Sequence, residues 1–142
     1  MNIPKVETTM TQELWINLPV NNLSQTKAFF TSLGFESLRD APEMVGFKIG
    51  NVPVMMVTSA QFEKYALNKV SDINNGSEML LSVGAPDREY VDAMAIKVSK
   101  AGGKVFSSPA EIQGWMYGCA FTDLDGHRWN ILHMDFNKMP KN

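Results

Sequence analysis

A chain of 142 residues with 44% hydrophobic and 20% charged side chains is sized and composed for one soluble globular domain with a sizeable core. Its net charge of −2 supplies no clustered basic face for nucleic acid or for an anionic membrane surface, and no apolar run is long enough to span a bilayer. Residues 1–7 lack the apolar stretch of a secretory signal, and Cys119, the one cysteine, excludes a disulfide within the chain, so the cytoplasm is the expected compartment.

In chain order, a tail runs to about residue 12 and a strand is expected over 13–20, restricted near its end by Pro19. Asn22 or Ser24 suits the N-cap of a helix over 24–33, whose Ala28, Phe29 and Leu33 fall at helical spacing before Gly34. Strands are predicted at 36–39, 45–49 and 52–58, with Gly50-Asn51 as the turn between the last two, then a short helix over 60–67. The Ser, Asn, Asp and Gly of 71–77 read as a linker. A strand follows at 79–83, then a helix over 88–100 capped by Asp87 and ended by Ala101-Gly102-Gly103. Strands are expected at 104–108, 115–122 and 128–134. Ten methionines are unusually many; Met fills irregular core gaps and also lines adaptable ligand surfaces. Cys119, within a strand, reads as a small buried hydrophobe.

Each half is therefore a strand, a helix and three strands. Leu18-Pro19-Val20 lies over Leu81-Ser82-Val83, and Leu33-Gly34-Phe35 over Gly102-Gly103-Lys104. Such a repeat implies two copies of one unit burying a shared face. The expected organisation is a tail at 1–12, a single domain at 13–137 (first module about 13–70, second about 78–136) and a tail at 138–142. Near the end, Asp123-Leu124-Asp125-Gly126 has the chemistry of a tight turn between strands.

Leu18-Pro19-Val20-Asn21-Asn22-Leu23, Ala28-Phe29-Phe30, Leu33-Gly34-Phe35, Ala101-Gly102-Gly103, Met116-Tyr117-Gly118 and the run from Phe121 to His127 together resemble the vicinal oxygen chelate superfamily. That superfamily includes glyoxalase I, bleomycin-resistance proteins and extradiol dioxygenases, and the resemblance covers about residues 13–135. It implies an α+β fold of two tandem βαβββ modules whose curled mixed sheets form an open cup, in a homodimer. In metal-dependent relatives it implies a divalent cation (Ni, Zn, Mn or Fe) held by His, Glu or Gln from the first and last strands of each module.

Anchored on Leu18-Pro19-Val20 and Arg128, those ligand positions fall on Trp15, Met56, Glu78 and Asn130. Trp does not ligate, Met suits hard divalent ions poorly, and a neutral Asn oxygen is a weak ligand, so the expectation is a degenerate site with no metal. Strand parity puts Trp15 with Asn17 on one face, and Asn130 with Leu132 and Met134. It turns Trp129 and His133 toward the helix layer and leaves His127 in the turn, so the two histidines are not expected to chelate. Asn17, Thr58, Glu78, Ser82 and Asn130 are the polar cup candidates, with Glu78 the candidate general base. Trp15, Met56, Met116 and Tyr117 would add apolar and aromatic walls.

The expected function is binding of an unidentified small molecule in the cup or in the groove between subunits, without catalysis, in the manner of bleomycin-resistance proteins. One alternative is a metal-dependent lyase, isomerase or dioxygenase like glyoxalase I and its relatives. Another is a non-enzymatic partner-binding module that uses the 71–77 loop or the N-terminal tail. One scaffold hosts many chemistries here, so function has to be argued from the site.

Overall fold

The computed structural model describes residues 13–141, so the expected N-terminal tail at 1–12 lies outside the described residues. Its elements run β1 (Ile16–Val20), α1 (Leu23–Ser32), β2 (Glu36–Ser37), β3 (Met44–Ile49), β4 (Val52–Thr58), α2 (Ser59–Ala66), β5 (Leu80–Gly84), α3 (Arg88–Ala101), β6 (Lys104–Ile112), β7 (Met116–Thr122) and β8 (Arg128–Met134). Short 3-10 turns at Ile73–Asn75 and Phe136–Lys138 occupy the linker and the C-terminal segment.

Caps set the helix boundaries. The Asn22 side chain accepts the Gln25 N–H at 3.0 Å to start α1, and Asp87 accepts the Tyr90 N–H at 2.8 Å to start α3. Gly102 ends α3 at a φ of 100°, where a side chain would be strained. The strands form two mixed four-stranded sheets, ordered β1-β4-β3-β2 and β5-β8-β7-β6, which do not close on one another. β1 runs parallel to β4 and β5 parallel to β8; the other pairs are antiparallel. This is the expected α+β architecture of paired βαβββ units.

Three boundaries differ from the expected ones by more than one residue. β1 starts at Ile16, where its ladder with β4 begins, so Glu13–Trp15 precede the sheet. β2 is only two residues long. β6 continues past the expected end at 108 to Ile112, because register shifts between Val105 and Ser107 and between Ser107 and Ala110 absorb Pro109 within an edge strand.

One continuous core joins the halves. α1 lies on β3 and β4, α3 on β6, β7 and β8, and the two helices touch each other. Phe30 is the hub: its ring centroid is 5.6 Å from Phe47 of the first sheet and 5.5 Å from Trp129 of the second. A polar clasp adds to this. The Asn21 N–H donates to Asp125 Oδ1 at 2.8 Å, and His127 Nε2 lies 2.7 Å from the Pro19 carbonyl, so the end of β1 is tied to the β7–β8 turn.

Candidate functional site

Alternation along the second sheet creates its hollow. On β8, Trp129 and Ile131 enter the core beneath α3, while Arg128, Asn130 and Leu132 turn to the outer face. On β7, Cys119 and Phe121 point inward, and the outward positions are Gly118 and Ala120. Small outward residues on the central strand leave a cavity of about 470 Å³, large enough for a small organic molecule. Phe106, Ser107 and Ile112 of β6 form one wall, and Ser77–Leu80 form the other. Phe106 and Ser107 are consecutive yet line the same space, which the bulge at that point permits.

Two polar groups mark the floor. Asn130 Oδ1 is buried and has no hydrogen-bond partner among the described residues. An orphaned buried acceptor costs about 1–3 kcal/mol unless a water or another donor reaches it. The Arg128 guanidinium carbon sits 4.0 Å from the centroid of the Phe106 ring. Among the described residues, the ion pairs are Lys27 with Asp40 and Arg88 with Glu111, so Arg128 is in neither. Glu78 lines the rim and is solvent-exposed.

The remaining candidates scatter. Trp15 precedes β1 and is 56% exposed. Asn17 is half-buried opposite Met55, on the face of the first sheet turned away from α1, and Thr58 caps α2. Met116 shares the outer face of the second sheet but lies beside Met134, beyond the hollow. Ser82 is exposed on β5 opposite Asn130.

Two expectations are corrected. Met56 is fully buried in the core opposite Leu18 and Val45, beneath α1; the residue on the other face at that level is Met55, because a one-residue slip in strand register reverses every face. Tyr117 lies on the α3 side of β7, where its hydroxyl donates to Asp92 at 2.6 Å and Arg88 lies over its ring. It walls the helix layer and not the hollow.

The four positions implied for a divalent ion therefore do not form a site. They hold an exposed indole, a core thioether facing the wrong way, a rim carboxylate and a floor amide, and this donor set does not fit such an ion. Among the described residues no three His, Cys, Asp or Glu side chains gather in metal-binding geometry. His127 is taken up by the clasp, and His133 Nδ1 lies 3.2 Å from the Ala85 carbonyl on the helix side. Burial pushes the Cys119 thiol up to about 11, and its S–H points to the Val91 carbonyl, so it is protonated and inert at neutral pH.

Sequence reasoning missed Arg128, Phe106 and Ser107. Arg128 was legible, since it shares the parity of Asn130. The β6 residues were not, because only the bulge turns them inward.

The family model for the Glyoxalase/Bleomycin resistance protein/Dioxygenase superfamily matches residues 14–131. A hypothetical protein from S. aureus is 35% identical, with a TM-score of 0.78 over 87% of this chain and 94% of that one. A glyoxalase-related enzyme from Fulvimarina pelagi is 17% identical with a TM-score of 0.77, over 87% of this chain and 88% of its own. A genomically encoded fosfomycin resistance protein from Listeria monocytogenes is 15% identical with a TM-score of 0.69, over 92% and 98%. These last two show likeness of fold alone. No curated protein matches the sequence. Among the described residues no helix is long and apolar enough to cross a membrane.

Proposed function

Because the chain belongs to the Glyoxalase/Bleomycin resistance protein/Dioxygenase superfamily, we propose that it binds a small organic molecule in the hollow of β5–β8, without a metal ion. The observation that carries this reading is a partly apolar cavity lined by the Asn130 amide, whose buried Oδ1 has no partner among the described residues. At the corresponding place a metal-dependent relative would need a strong anionic or imidazole ligand, and an amide oxygen is a weak substitute. The same amide suits a neutral role, fixing the orientation of a ligand that offers a donor.

Met79, Leu80, Phe106 and Met134 are exposed apolar residues around or beside this hollow. We propose that a second copy of the chain covers them, which would close the hollow at a homodimer interface. Light scattering after size exclusion tests this; a monomer at all concentrations overturns it.

The reading of the hollow is tested by elemental mass spectrometry on tag-free protein dialysed against Ni, Zn, Mn or Fe(II) and then against metal-free buffer. No retained ion is the expected result, with a thermal shift on adding small organic ligands that is lost in Ala120→Trp. Near-integral retention of one ion overturns the metal-free reading and puts the metal-dependent enzyme first, with Glu78 among the ligands.

A further inference from the structure

We infer that the hollow selects a small organic oxyanion, a carboxylate or phosphonate on an apolar body, with Arg128 as its anchor and Asn130 reading a donor group beside it. This inference rests on the proposal that the hollow is the ligand site. Three observations carry it.

The first is charge. Arg128 lines the cavity and pairs with no carboxylate among the described residues. A guanidinium remains charged at any physiological pH, and when lodged against an apolar wall it favours an anion brought in from outside. The second is geometry. The Phe106 ring lies 4.0 Å from the guanidinium carbon, so the ring takes one side of the group. Stacking of this kind uses the π-face of an arginine and leaves its edge N–H groups to fork onto two oxygens. Lys in the same place would keep the charge and lose the fork. The third is spacing. Asn130 is two residues along the same strand and faces the same way, which sets its backbone about 6.6 Å from that of Arg128. That is roughly the width of one six-membered ring. A ligand whose oxyanion meets Arg128 therefore carries a second polar group toward the Asn130 amide, whose Oδ1 a small side-chain rotation would bring to it, across an apolar span walled by Leu80, Ile112 and Leu132. Glu78 at the exposed rim disfavours a second anion at the mouth, so the oxyanion is placed at the floor.

Benzoate, phenylphosphonate, 3-hydroxybenzoate and the neutral 3-hydroxybenzamide, titrated calorimetrically into the full chain, test this. 3-Hydroxybenzoate is expected to bind at least about tenfold more tightly than the amide, and the tighter of benzoate and phenylphosphonate identifies the anion. Arg128→Met, which keeps an apolar stem over Phe106, is expected to abolish that preference, and Arg128→Lys to retain part of it. The 3-hydroxyl is expected to tighten binding to the wild type but not to Asn130→Leu, a variant that removes the orphaned oxygen and so leaves folding intact. Equal binding of amide and oxyanions, unaffected by Arg128→Met but lost in Ala120→Trp, overturns the oxyanion inference and leaves the hollow as the ligand site. Binding of every probe that survives Ala120→Trp, or binding of none, overturns both.

Discussion

The two modules share an element order and differ in what their outer faces hold. On the first sheet the central strands present Met55 and Val57; Met55 packs over Gly46 and Val57 is fully buried, with α2 against β1 and β4. On the second sheet the matching strands present Gly118, Ala120 and Asn130, and the face is hollow. The turns differ too. Gly50-Asn51 closes β3–β4 tightly, whereas β7–β8 is joined through a buried Asp123 and the clasp to β1. One copy of the unit has become scaffold and the other has kept a cavity. The lesson is that side-chain volume on two central strands, not topology, decides which copy holds a hollow.

The modules nevertheless stand on one core, and the largest expected effect is at its hub. Phe30→Ala removes the ring that touches Phe47 and Trp129 at once, so it should cost about 3–5 kcal/mol of stability. Both sheets should lose it together: a single transition in urea, by both near-UV and far-UV circular dichroism, is expected. Separate transitions for the two sheets would show the modules to be energetically independent and would break the idea of a shared core.

The next effect lies in the turn that only the second module has. Asp123 Oδ1 accepts the N–H groups of Asp125 and His127, each at 3.0 Å, and Oδ2 accepts Trp129 Nε1–H at 3.0 Å. Burial raises the carboxyl above its ordinary value of 3.8, opposed by His127 and by these hydrogen bonds. Asp123→Asn keeps one acceptor and turns a donor toward Trp129, so it should cost about 1.5–3 kcal/mol. The gap has a pH dependence of known sign. An acid whose folded pKa is raised contributes stability that is present below the unfolded value and is lost as pH rises through the folded one. The deficit of the variant should therefore narrow as pH rises from about 4 toward neutrality. Denaturation midpoints across that range check it, and a gap that widens would show that the hydrogen bonds outweigh burial.

Most of the architecture was legible because it rests on local chemistry. Asn22 and Asp87 are caps, Gly102 is a stop, and the Asp123–Gly126 turn follows from residues that favour it. Faces were legible where an anchor lay within the strand, as for Trp129, His133 and Asn130. They were lost where the count crossed a turn. A count to Met56 from an anchor on β1 ends one residue from the outward Met55, and alternation along β7 turns Tyr117 to the α3 side, opposite to Gly118. The wall formed by Phe106 and Ser107 depends on bulges, which carry no sequence signal as clear as alternation does. The apolar patch beside the hollow is a matter of exposure, and that exists only once the fold is known.

The smallest effects sharpen the contrast between the two faces. Each central antiparallel strand has a glycine under a large neighbour, Gly46 beneath Met55 and Gly118 beneath Leu132. A methyl group at 118 would meet Leu132 Cδ2 at 2.5 Å and the Ile131 carbonyl oxygen at 2.7 Å. The second of these is backbone within a paired strand, and it has nowhere to go. A methyl group at 46 would meet Met55 Cε at 2.7 Å, the far end of an unbranched thioether that has other rotamers. Gly118→Ala should therefore cost about 1–3 kcal/mol by overpacking. Gly46→Ala should fall within about 1 kcal/mol of wild type, since losing glycine from a strand interior offsets part of the strain. Chemical denaturation of the two variants side by side measures the difference. Ligand affinity adds a second axis, because moving Leu132 changes the wall of the hollow whereas moving Met55 changes only the scaffold face. If the two alanines cost the same, the faces are equally rigid, and the hollow is a consequence of composition without a stiff floor to hold its shape.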